Sequence, residues 1–393
     1  MKCNIAIIGG GPAGLMCAII AKRNYPDLNI TIFEKKDIGH TLLPTGGGRC
    51  NLSYNENDIR NFVQNYPRGE KFLFSVFNQF FVEETIDFFN SIGIKTYTQD
   101  DNRIFPKTNK SLDVIFALKN EIKKLGIKIE NKEIKDIKII NNMFYIDGKT
   151  FDKTVISIGG RKSELIEKIS NLGHTIIPQY PALCGLEIKE KYYKEISGVS
   201  LKNIYATAKL GKKNIELCED LLFTHRGISG PLAYKISSIY SQSDYSLDNP
   251  IIVTLNFIQN KDINLQKLLE KNSQKEILTL ISEFMPKSLA KTILTYNNIT
   301  PEKKCYEINK VERGIIEEQL TSMKLEVINP LKEGEIVSSG GIKLSEINSK
   351  DMQSKIIPNL YFCGEITDID GFCGGFNLQN CWSTGYVAGI NLG

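Results

Sequence analysis

Two glycine-rich stretches, together with the polar residues beside them, could do chemistry in this sequence. The first, IAIIGGGPAGLMCAIIA, holds Gly9, Gly11 and Gly14 in the spacing G-x-G-x-x-G. The second, LLPTGGGRCNLS, places an arginine, a cysteine and an asparagine directly after three consecutive glycines. Glycine lets a backbone turn sharply and come close to a ligand. Both stretches therefore predict loops whose backbone contacts a bound molecule.

The first loop joins a predicted strand to a predicted helix. Residues 5–8 are apolar, as in a buried parallel strand, and residues 15–22 have a helical pattern. Gly9 would permit the sharp turn, Gly11 the approach of a pyrophosphate, and Gly14 the close packing of helix against strand. The free N–H groups at the start of the helix would then face the phosphates.

An acidic residue follows the second predicted strand, residues 30–33. Glu34 comes about 20 residues after the glycines, where a carboxylate hydrogen-bonds the hydroxyls of an adenosine ribose. A carboxylate at this position disfavours a ribose 2′-phosphate. The sequence therefore predicts FAD or NAD, rather than NADP, as the nucleotide of this site.

Composition and charge narrow the class of protein. A chain of 393 residues exceeds one compact core, so two or three domains are expected. The formal net charge of +4 is mild for this length and argues against a nucleic-acid partner. The nine cysteines form no C-x-x-C pair and no zinc-like group with histidine. These features predict reduced thiols in a cytoplasmic protein without a metal site.

The uncharged residues 5–21 resemble a signal peptide or a short membrane span at first sight. A spanning helix would need about 20 apolar residues without a break. Three glycines and Pro12 interrupt this run and would break such a helix. We therefore expect a strand, a turn and a helix, and no membrane segment.

Further segments favour a flavin nucleotide over NAD alone. Residues 126–129 predict a strand, and Ile134 follows where it could cover an adenine. Residues 154–160 predict a buried strand ending at Gly159 and Gly160, and residues 359–365 predict another ending at Gly364 and Glu365. The glycine loop LLPTGGGRCNLS, just past the Glu34 strand, would not usually follow in an NAD-only dehydrogenase.

These motifs resemble those of bacterial FAD flavoproteins of the aminoacetone-oxidase-like family, which includes bile-acid 3-dehydro-reductase-like proteins. The resemblance runs nearly end to end, through GGGPAG, TGGGRCNLS, RIFPKTNKSLDVIFAL, GHTIIPQYPALCGLEI, LFTHRGISGP and the ending from VSSGGIKLSEI to STGYVAG. It implies a glutathione-reductase-type FAD fold. The chain departs from the family's pattern after Gly160, where RKSE leads almost directly into a helix and a second glycine-rich turn is missing.

In this family the TGGGRCN loop looks like a clamp on the flavin side of FAD, with Asn51 bonding an exposed edge. Arg49 could contact a phosphate or substrate anion, or tie a neighbouring carbonyl. Cys50 lacks the partner cysteine of disulfide reductases, so a small apolar role is favoured over redox chemistry. The predicted cofactor-binding residues are Gly9, Gly11, Pro12, Ala13, Gly14, Glu34, Lys35, Thr45, Gly46, Gly47, Arg49, Cys50, Asn51, Ile134, Ser157, Gly159, Gly160, Gly364, Glu365, Asp368, Gly375, Asn377 and Leu378.

The C-terminal part supplies the other half of the predicted flavin clamp. Asp368 or Glu365 would reach the ribityl chain of FAD. A final helix, predicted over residues 380–390, would point the N–H groups near Asn377 and Leu378 at the flavin N1/O2 edge. Two-electron reduction places negative charge on N1, and a helix N-terminus stabilises such charge.

The middle of the chain reads as an insertion into the FAD domain. Alternating residues predict antiparallel strands of a small barrel or sandwich, and the period then becomes helical, with a helix start at Thr300 and Pro301. The fold class is thus α/β: a discontinuous Rossmann-like FAD-binding domain carrying an inserted β domain with a nested helical subdomain. The predicted boundaries are 1–186 and 335–393 for the FAD domain, 187–261 and 322–334 for the β domain, and 262–321 for the helical cap.

The predicted activity is FAD-dependent oxidoreduction of a small organic substrate, with hydride passing through flavin N5. The resemblance allows NAD(P)H-dependent reduction of an activated C=C bond, or oxidation of an amine by O2. Two other classes stay open: a flavin-dependent RNA-modifying protein and a non-catalytic FAD protein. No second dinucleotide fold is predicted, so NAD(P)H would visit the flavin transiently. Arg49 and His225 are the catalytic candidates, and His225 could be a proton donor or part of a structural turn.

Overall fold

The computed structural model describes residues 3–160, 163–258, 264–332 and 336–393. It divides into two compact units, Met1–Tyr180 with Val337–Gly393 and Pro181–Ile336. The first break falls between Tyr180 and Pro181, whereas we predicted it after residue 186. The predicted boundaries at 261–262 and 334–335, and the first two residues of the shortened RKSE segment, lie outside the described residues.

The strands are distributed over both units. In chain order they are β1 Asn4–Ile8, β2 Asn29–Glu34, β3 Ser53–Tyr54, β4 Thr96–Thr98, β5 Arg103–Pro106, β6 Lys128–Asn131, β7 Lys138–Ile140, β8 Met143–Ile146, β9 Lys149–Phe151, β10 Lys153–Ile156, β11 Ile176–Ala182, β12 Leu186–Ile188, β13 Ser200–Leu210, β14 Lys213–Thr224, β15 Gly227–Ser229, β16 Ile251–Asn256, β17 Met323–Pro330, β18 Val337–Ile342 and β19 Leu360–Phe362.

The helices connect and cover these strands. In chain order they are α1 Pro12–Asn24, α2 Thr45–Gly48, α3 Ile59–Val63, α4 Glu70–Phe77, α5 Val82–Ser91, α6 Ser111–Lys124, α7 Leu165–Asn171, α8 Pro231–Tyr240, α9 Leu265–Lys271, α10 Ile277–Ile281, α11 Lys287–Tyr296, α12 Lys310–Ser322 and α13 Phe376–Ile390. The short α2 is one turn with left-handed glycines, and so is not a regular α-helix.

A parallel sheet forms the centre of the first unit, with the strand order β19-β10-β1-β2-β6. Its central strand is fully apolar after Asn4 and buried, which is why a short apolar run sufficed to predict it. Helix α13 packs on α1 at close range: a Cβ on Gly385 would lie 2.4 Å from the carbonyl oxygen of Ala13. The predicted Rossmann-like domain, completed from a distant part of the chain, is confirmed.

The second unit contains a closed antiparallel barrel of β12, β15, β14, β13, β16 and β17, in that order. Helices α9–α12 lie in sequence between β16 and β17, so the predicted helical insertion within a β domain is confirmed. The predicted helix start at Thr300 was wrong. Helix α12 begins at Lys310, because Asn309 and Glu312 cap it reciprocally with two hydrogen bonds of 3.0 Å.

Candidate functional site

The three glycines of the G-x-G-x-x-G motif, at the end of β1 and the start of α1, comprise two that pack closely and one that stays open. A Cβ on Gly9 would lie 2.2 Å from the carbonyl oxygen of Ser157, and one on Gly14 would lie 2.0 Å from that of Gly9. A Cβ on Gly11 would meet only the hydroxyl of Thr41, at 3.6 Å. Gly11 therefore leaves room beside the N-terminus of α1, where a diphosphate would bind.

Glu34, at the end of β2, is held next to this loop. Its carboxylate accepts the N–H of Gly10 at 2.7 Å and that of Lys36 at 2.9 Å. A carboxylate has more acceptor positions than these two bonds use, so a ribose diol can still be bound. The neighbouring Lys35 forms an exposed ion pair with Glu133 at 3.0 Å.

The segment that leads into the second glycine loop lies beside the first loop, because the N–H of Gly39 donates to the carbonyl of Gly10 at 2.8 Å. Its three glycines all have positive φ, of 58°, 68° and 83° at Gly46, Gly47 and Gly48. A Cβ on Gly47 would have no atom within 4 Å. The sequence predicted a loop with an approachable backbone, and the left-handed turn has that property.

Arg49 makes the structural tie that was one of its two predicted roles. Its Nε donates to the carbonyl oxygen of Gly46 at 3.2 Å. Its guanidinium carbon lies 4.2 Å from the centre of the Phe105 ring, which is a cation–π contact with a fully buried residue of β5. These contacts fix the guanidinium against the loop and do not use its two terminal nitrogens.

Cys50 and Asn51 end the loop inside the protein. Burial raises the pKa of the Cys50 thiol to about 12, against a smaller opposing effect of a hydrogen bond with Thr45. A neutral thiol is a poor nucleophile, which supports the small apolar role. The Asn51 side-chain oxygen is buried and has no hydrogen-bond partner among the described residues. A bound ligand with an N–H or O–H group could supply the missing donor.

Helix α13 packs against the end of the second glycine loop and is hydrogen-bonded to it. A Cβ on Gly375, the N-cap of α13, would lie 2.5 Å from the carbonyl group of Ser53. The Ser53 hydroxyl donates to Gln379 at 2.6 Å, and the indole of Trp382 donates to the carbonyl oxygen of Leu52 at 3.0 Å. The N–H groups of the first turn of α13, which lack acceptors within the helix, are thereby brought next to the Asn51 end of the loop.

Other predicted residues of the C-terminal clamp form hydrogen bonds within the protein. The Asn377 side chain exchanges two hydrogen bonds with the backbone of Gly371, of 2.8 and 2.7 Å, so its backbone N–H is the group left for a ligand. Glu365 accepts the N–H of Ser338 at 2.8 Å. The N–H of Gly364 donates to Thr384 at 2.9 Å, while Asp368 is half-buried.

Other residues that were predicted to bind FAD or to act in catalysis lie in different environments, from the core of the parallel sheet to an exposed turn. Ile134 is buried with the core of the parallel sheet, and the Ser157 hydroxyl donates to the carbonyl of Gly9 at 2.9 Å. Gly159 has a φ of 77°. His225 is exposed in the turn between β14 and β15 of the second unit.

Sequence reasoning missed one buried charge in this region. Asp370 is completely buried and accepts a hydrogen bond from Nε of Arg68 at 2.7 Å. The sequence interpretation favoured the neighbouring acids Glu365 and Asp368 and gave Arg68 no role. No local pattern joins two residues that are so distant in the chain, although an aspartate directly before Gly371 was a visible signal.

Within residues 3–160, 163–258, 264–332 and 336–393, no three His, Cys, Asp or Glu side chains group closely enough to hold a metal ion. The helices in these ranges lack the length and apolar character that a membrane crossing requires.

FAD fits the residues of the first unit. Gly11 is open where a diphosphate would lie, Glu34 stands where a ribose would lie, and Asn51 offers an unpaired buried acceptor near the start of α13. The fold and site therefore define a Rossmann-type FAD flavoprotein of the oxidoreductase class. The chain belongs to the family described as HI0933-like protein Rossmann domain, whose model matches residues 3–391.

Two relatives match over nearly the full length of both chains. A 3-dehydro-bile acid delta(4,6)-reductase of Clostridium scindens is 29% identical, covering 98% of this chain and 98% of its own. A ribosomal RNA dihydrouridine synthase of Haemophilus influenzae is 27% identical, covering 98% of this chain and 97% of its own.

One solved structure is similar in fold. It is 3-ketosteroid delta1-dehydrogenase from Sterolibacterium denitrificans in complex with 1,4-androstadiene-3,17-dione. Its TM-score is 0.50 at 10% identity, and the alignment covers 99% of this chain and 98% of that one. At this identity the likeness concerns the fold alone.

Proposed function

We propose that the protein is a FAD-dependent reductase that saturates a C=C bond conjugated to a carbonyl group in a small organic substrate, with NAD(P)H as the reductant. The observation that carries this proposal is the full-length similarity to two relatives whose names describe the same bond change. A delta(4,6)-reductase acting on a 3-dehydro compound saturates C=C bonds conjugated to a ketone. Dihydrouridine synthesis saturates the C5=C6 bond of uracil, which is conjugated to the C4 carbonyl.

The residues of the first unit would hold the cofactor in the orientation this reaction needs. Gly11 and the start of α1 would bind the diphosphate, and Glu34 would bind the adenosine ribose. Bound FAD supplies the hydride chemistry. The N-terminus of α13 would face the edge of the flavin that becomes negative on reduction, and Asn51 would accept a hydrogen bond from an adjacent N–H or O–H group.

A small substrate is favoured by the distribution of charge. The formal net charge is +4, and many lysines are neutralised locally, as in the pairs Lys35–Glu133, Lys189–Glu326 and Lys303–Glu312. Nucleic-acid affinity depends on clustered, unpaired positive charge. The similarity to ribosomal RNA dihydrouridine synthases makes reduction of a uracil in RNA the second candidate function.

Anaerobic reduction of the purified yellow holoenzyme tests the proposal. We expect NADPH or NADH to bleach the flavin absorbance, and a conjugated enone such as 2-cyclohexenone, or a steroid 4-en-3-one, to restore it. Lack of bleaching by both nucleotides would contradict the proposed reductant. Reoxidation by uridine-containing RNA, with no response to any enone, would favour the second candidate. The G11A variant, which we expect to lack bound FAD, serves as the control for reduction outside the site.

A further inference from the structure

We propose that Arg49 anchors a carboxylate of the substrate, so that the substrate is an unsaturated organic acid. This inference deepens the proposed function and rests on it for the position of the reacting C=C bond. It is based on the side chain of Arg49 in the TGGGRCN loop, which has N–H donors without an acceptor among the described residues.

The guanidinium of Arg49 is fixed before any ligand arrives. Its Nε donates to the carbonyl oxygen of Gly46 at 3.2 Å, and its carbon lies 4.2 Å from the centre of the Phe105 ring. Phe105 is fully buried in β5, which pairs with both β3 and β4. An arginine held in this way loses little conformational freedom when it binds an anion.

The two terminal nitrogens of Arg49 have no hydrogen-bond acceptor, and its charge has no carboxylate partner, among the described residues. Arg103, whose guanidinium also lies near Phe105, differs from Arg49 because it has a carboxylate partner. That guanidinium lies 5.7 Å from the centre of the same Phe105 ring, but it pairs with Asp101, with an Nε–Oδ2 distance of 2.7 Å. Arg49 therefore retains a planar pair of charged donors, which matches the two oxygens of a carboxylate.

The position of Arg49 in the loop favours a substrate anion, rather than the phosphates of the cofactor, as its partner. The segment before the loop lies beside the turn between β1 and α1, through the bond between Gly39 and Gly10. The loop ends beside helix α13, through the bond between Leu52 and Trp382. Arg49 lies three residues before Leu52, at the α13 end, where the flavin and not the diphosphate would lie. An anion at this end would belong to the substrate.

A carboxylate bound there would orient the substrate as well as hold it. Two parallel N–H···O bonds fix the direction of a planar acid and not only its location. Removing the negative charge, as in an amide or an ester, would leave a fixed guanidinium with a neutral partner. We expect this change to weaken binding by about 10- to 100-fold.

The test is a titration of the oxidised holoenzyme that requires no turnover. Cinnamate and its uncharged analogue cinnamamide are added separately while the visible flavin spectrum is followed. We expect saturable perturbation by cinnamate and at least tenfold weaker binding of cinnamamide. The R49Q and R49K variants should lose the preference for the acid, with R49K retaining part of the affinity through its charge. The R103Q variant, which alters the other guanidinium beside Phe105, should behave as wild type.

Three outcomes would overturn the inference. Equal binding of cinnamate and cinnamamide, or no spectral response to either, would exclude a carboxylate anchor. An R49Q variant that loses FAD, measured by the dissociation constant for the flavin, would make Arg49 a phosphate contact of the cofactor. Perturbation by methyl phosphate that depends on Arg49, without a response to cinnamate, would instead indicate a phosphate-bearing substrate such as RNA.

The titration separates this inference from the proposed function. If NAD(P)H failed to reduce the flavin while the acid preference persisted, the reductase proposal would fail and the anion anchor would stand. If enones reoxidised the flavin while the acid preference was missing, the reductase would stand and the anchor would fail.

Discussion

The indole nitrogen of Trp382 donates a hydrogen bond of 3.0 Å to the carbonyl oxygen of Leu52. Both residues are buried, and the two lie on α13 and at the end of the TGGGRCN loop. A buried carbonyl needs a donor, and here the donor comes from the far end of the sequence. This bond makes the geometry of the loop depend on the position of the helix.

Replacing Trp382 with phenylalanine should destabilise the fold and weaken FAD binding together. The carbonyl of Leu52 would lose its indole donor, at a cost of about 1–3 kcal/mol in the free energy of unfolding. Thermal unfolding and the dissociation constant for FAD would measure the two effects. Y386F, one turn further along α13 at a half-buried tyrosine stacked on Phe80, is the matched control. Equal behaviour of the two variants would contradict the role of the bond.

Alanine substitutions in the first glycine loop should separate cofactor binding from folding. A Cβ on Gly11 would meet no atom closer than 3.6 Å, so G11A should fold normally. It should be purified without FAD, because the added methyl group would occupy the position that we propose for the diphosphate. A Cβ on Gly14 would lie 2.0 Å from the carbonyl oxygen of Gly9. The G14A variant should therefore lose FAD and, unlike G11A, unfold at a lower temperature than wild type. Flavin content and circular dichroism on melting are the readouts. A yellow G11A protein would show that the diphosphate does not lie there.

Replacing Cys50 with alanine should leave flavin reduction within about twofold of wild type. The pKa of this thiol is raised to about 12 by burial, so the thiolate is scarcely populated near neutral pH. Iodoacetamide at pH 8 should accordingly modify the exposed Cys373 and spare Cys50, as mass spectrometry of the peptides would show. Loss of substrate turnover in C50A, with FAD still bound, would instead give this thiol a chemical role.

Stability should fall as the pH drops below about 6.5, partly because of His174. Burial lowers the pKa of this imidazole, while Glu346, 3.3 Å from Nδ1, opposes the shift. Its Nε2 lies 3.0 Å from the hydroxyl of Ser354, which already accepts two backbone N–H groups and so must donate to the ring. A protonated His174 ring would carry a hydrogen on Nε2 that faces the hydroxyl hydrogen of Ser354, so this hydrogen bond would be lost. The unfolded chain therefore binds the proton more readily.

Urea unfolding at pH 7.5 and 5.5 measures this effect. The free energy of unfolding of wild type should decrease over this interval by more than that of H174Q, in which the titrating group is gone. H225Q changes an exposed histidine and should keep the wild-type difference. Identical pH dependence in all three proteins would remove His174 as a contributor.

The elements that the sequence predicted well are those with a strong local pattern. The apolar run of β1 is buried on both faces, and the spacing of Gly9, Gly11 and Gly14 follows from the contacts that each must make or avoid. Alternation in β13 and β14 likewise reflects the two faces of a barrel strand.

What sequence reasoning missed depends on contacts between distant residues. The pair Arg68–Asp370, the stacking of Arg49 on Phe105 and the bond from Trp382 to Leu52 join segments that no periodicity connects. The helix predicted at Thr300 failed for a different reason. A proline near a helical pattern suggested a start, but the reciprocal cap of Asn309 and Glu312 lies further along the chain.

The first unit is completed by β19 and α13, which the chain reaches only after it has passed through Pro181–Ile336. During synthesis, β10 would therefore emerge with one edge unpaired, and α1 would wait for the helix whose Gly385 and Gly389 fit against it. The barrel, by contrast, has all of its strands within one continuous segment. On the ribosome the inserted unit can fold first. If α13 takes part in the FAD site as proposed, the cofactor would be captured only near the end of translation. On that proposal, we expect a nascent chain released before residue 376 to be unable to retain FAD.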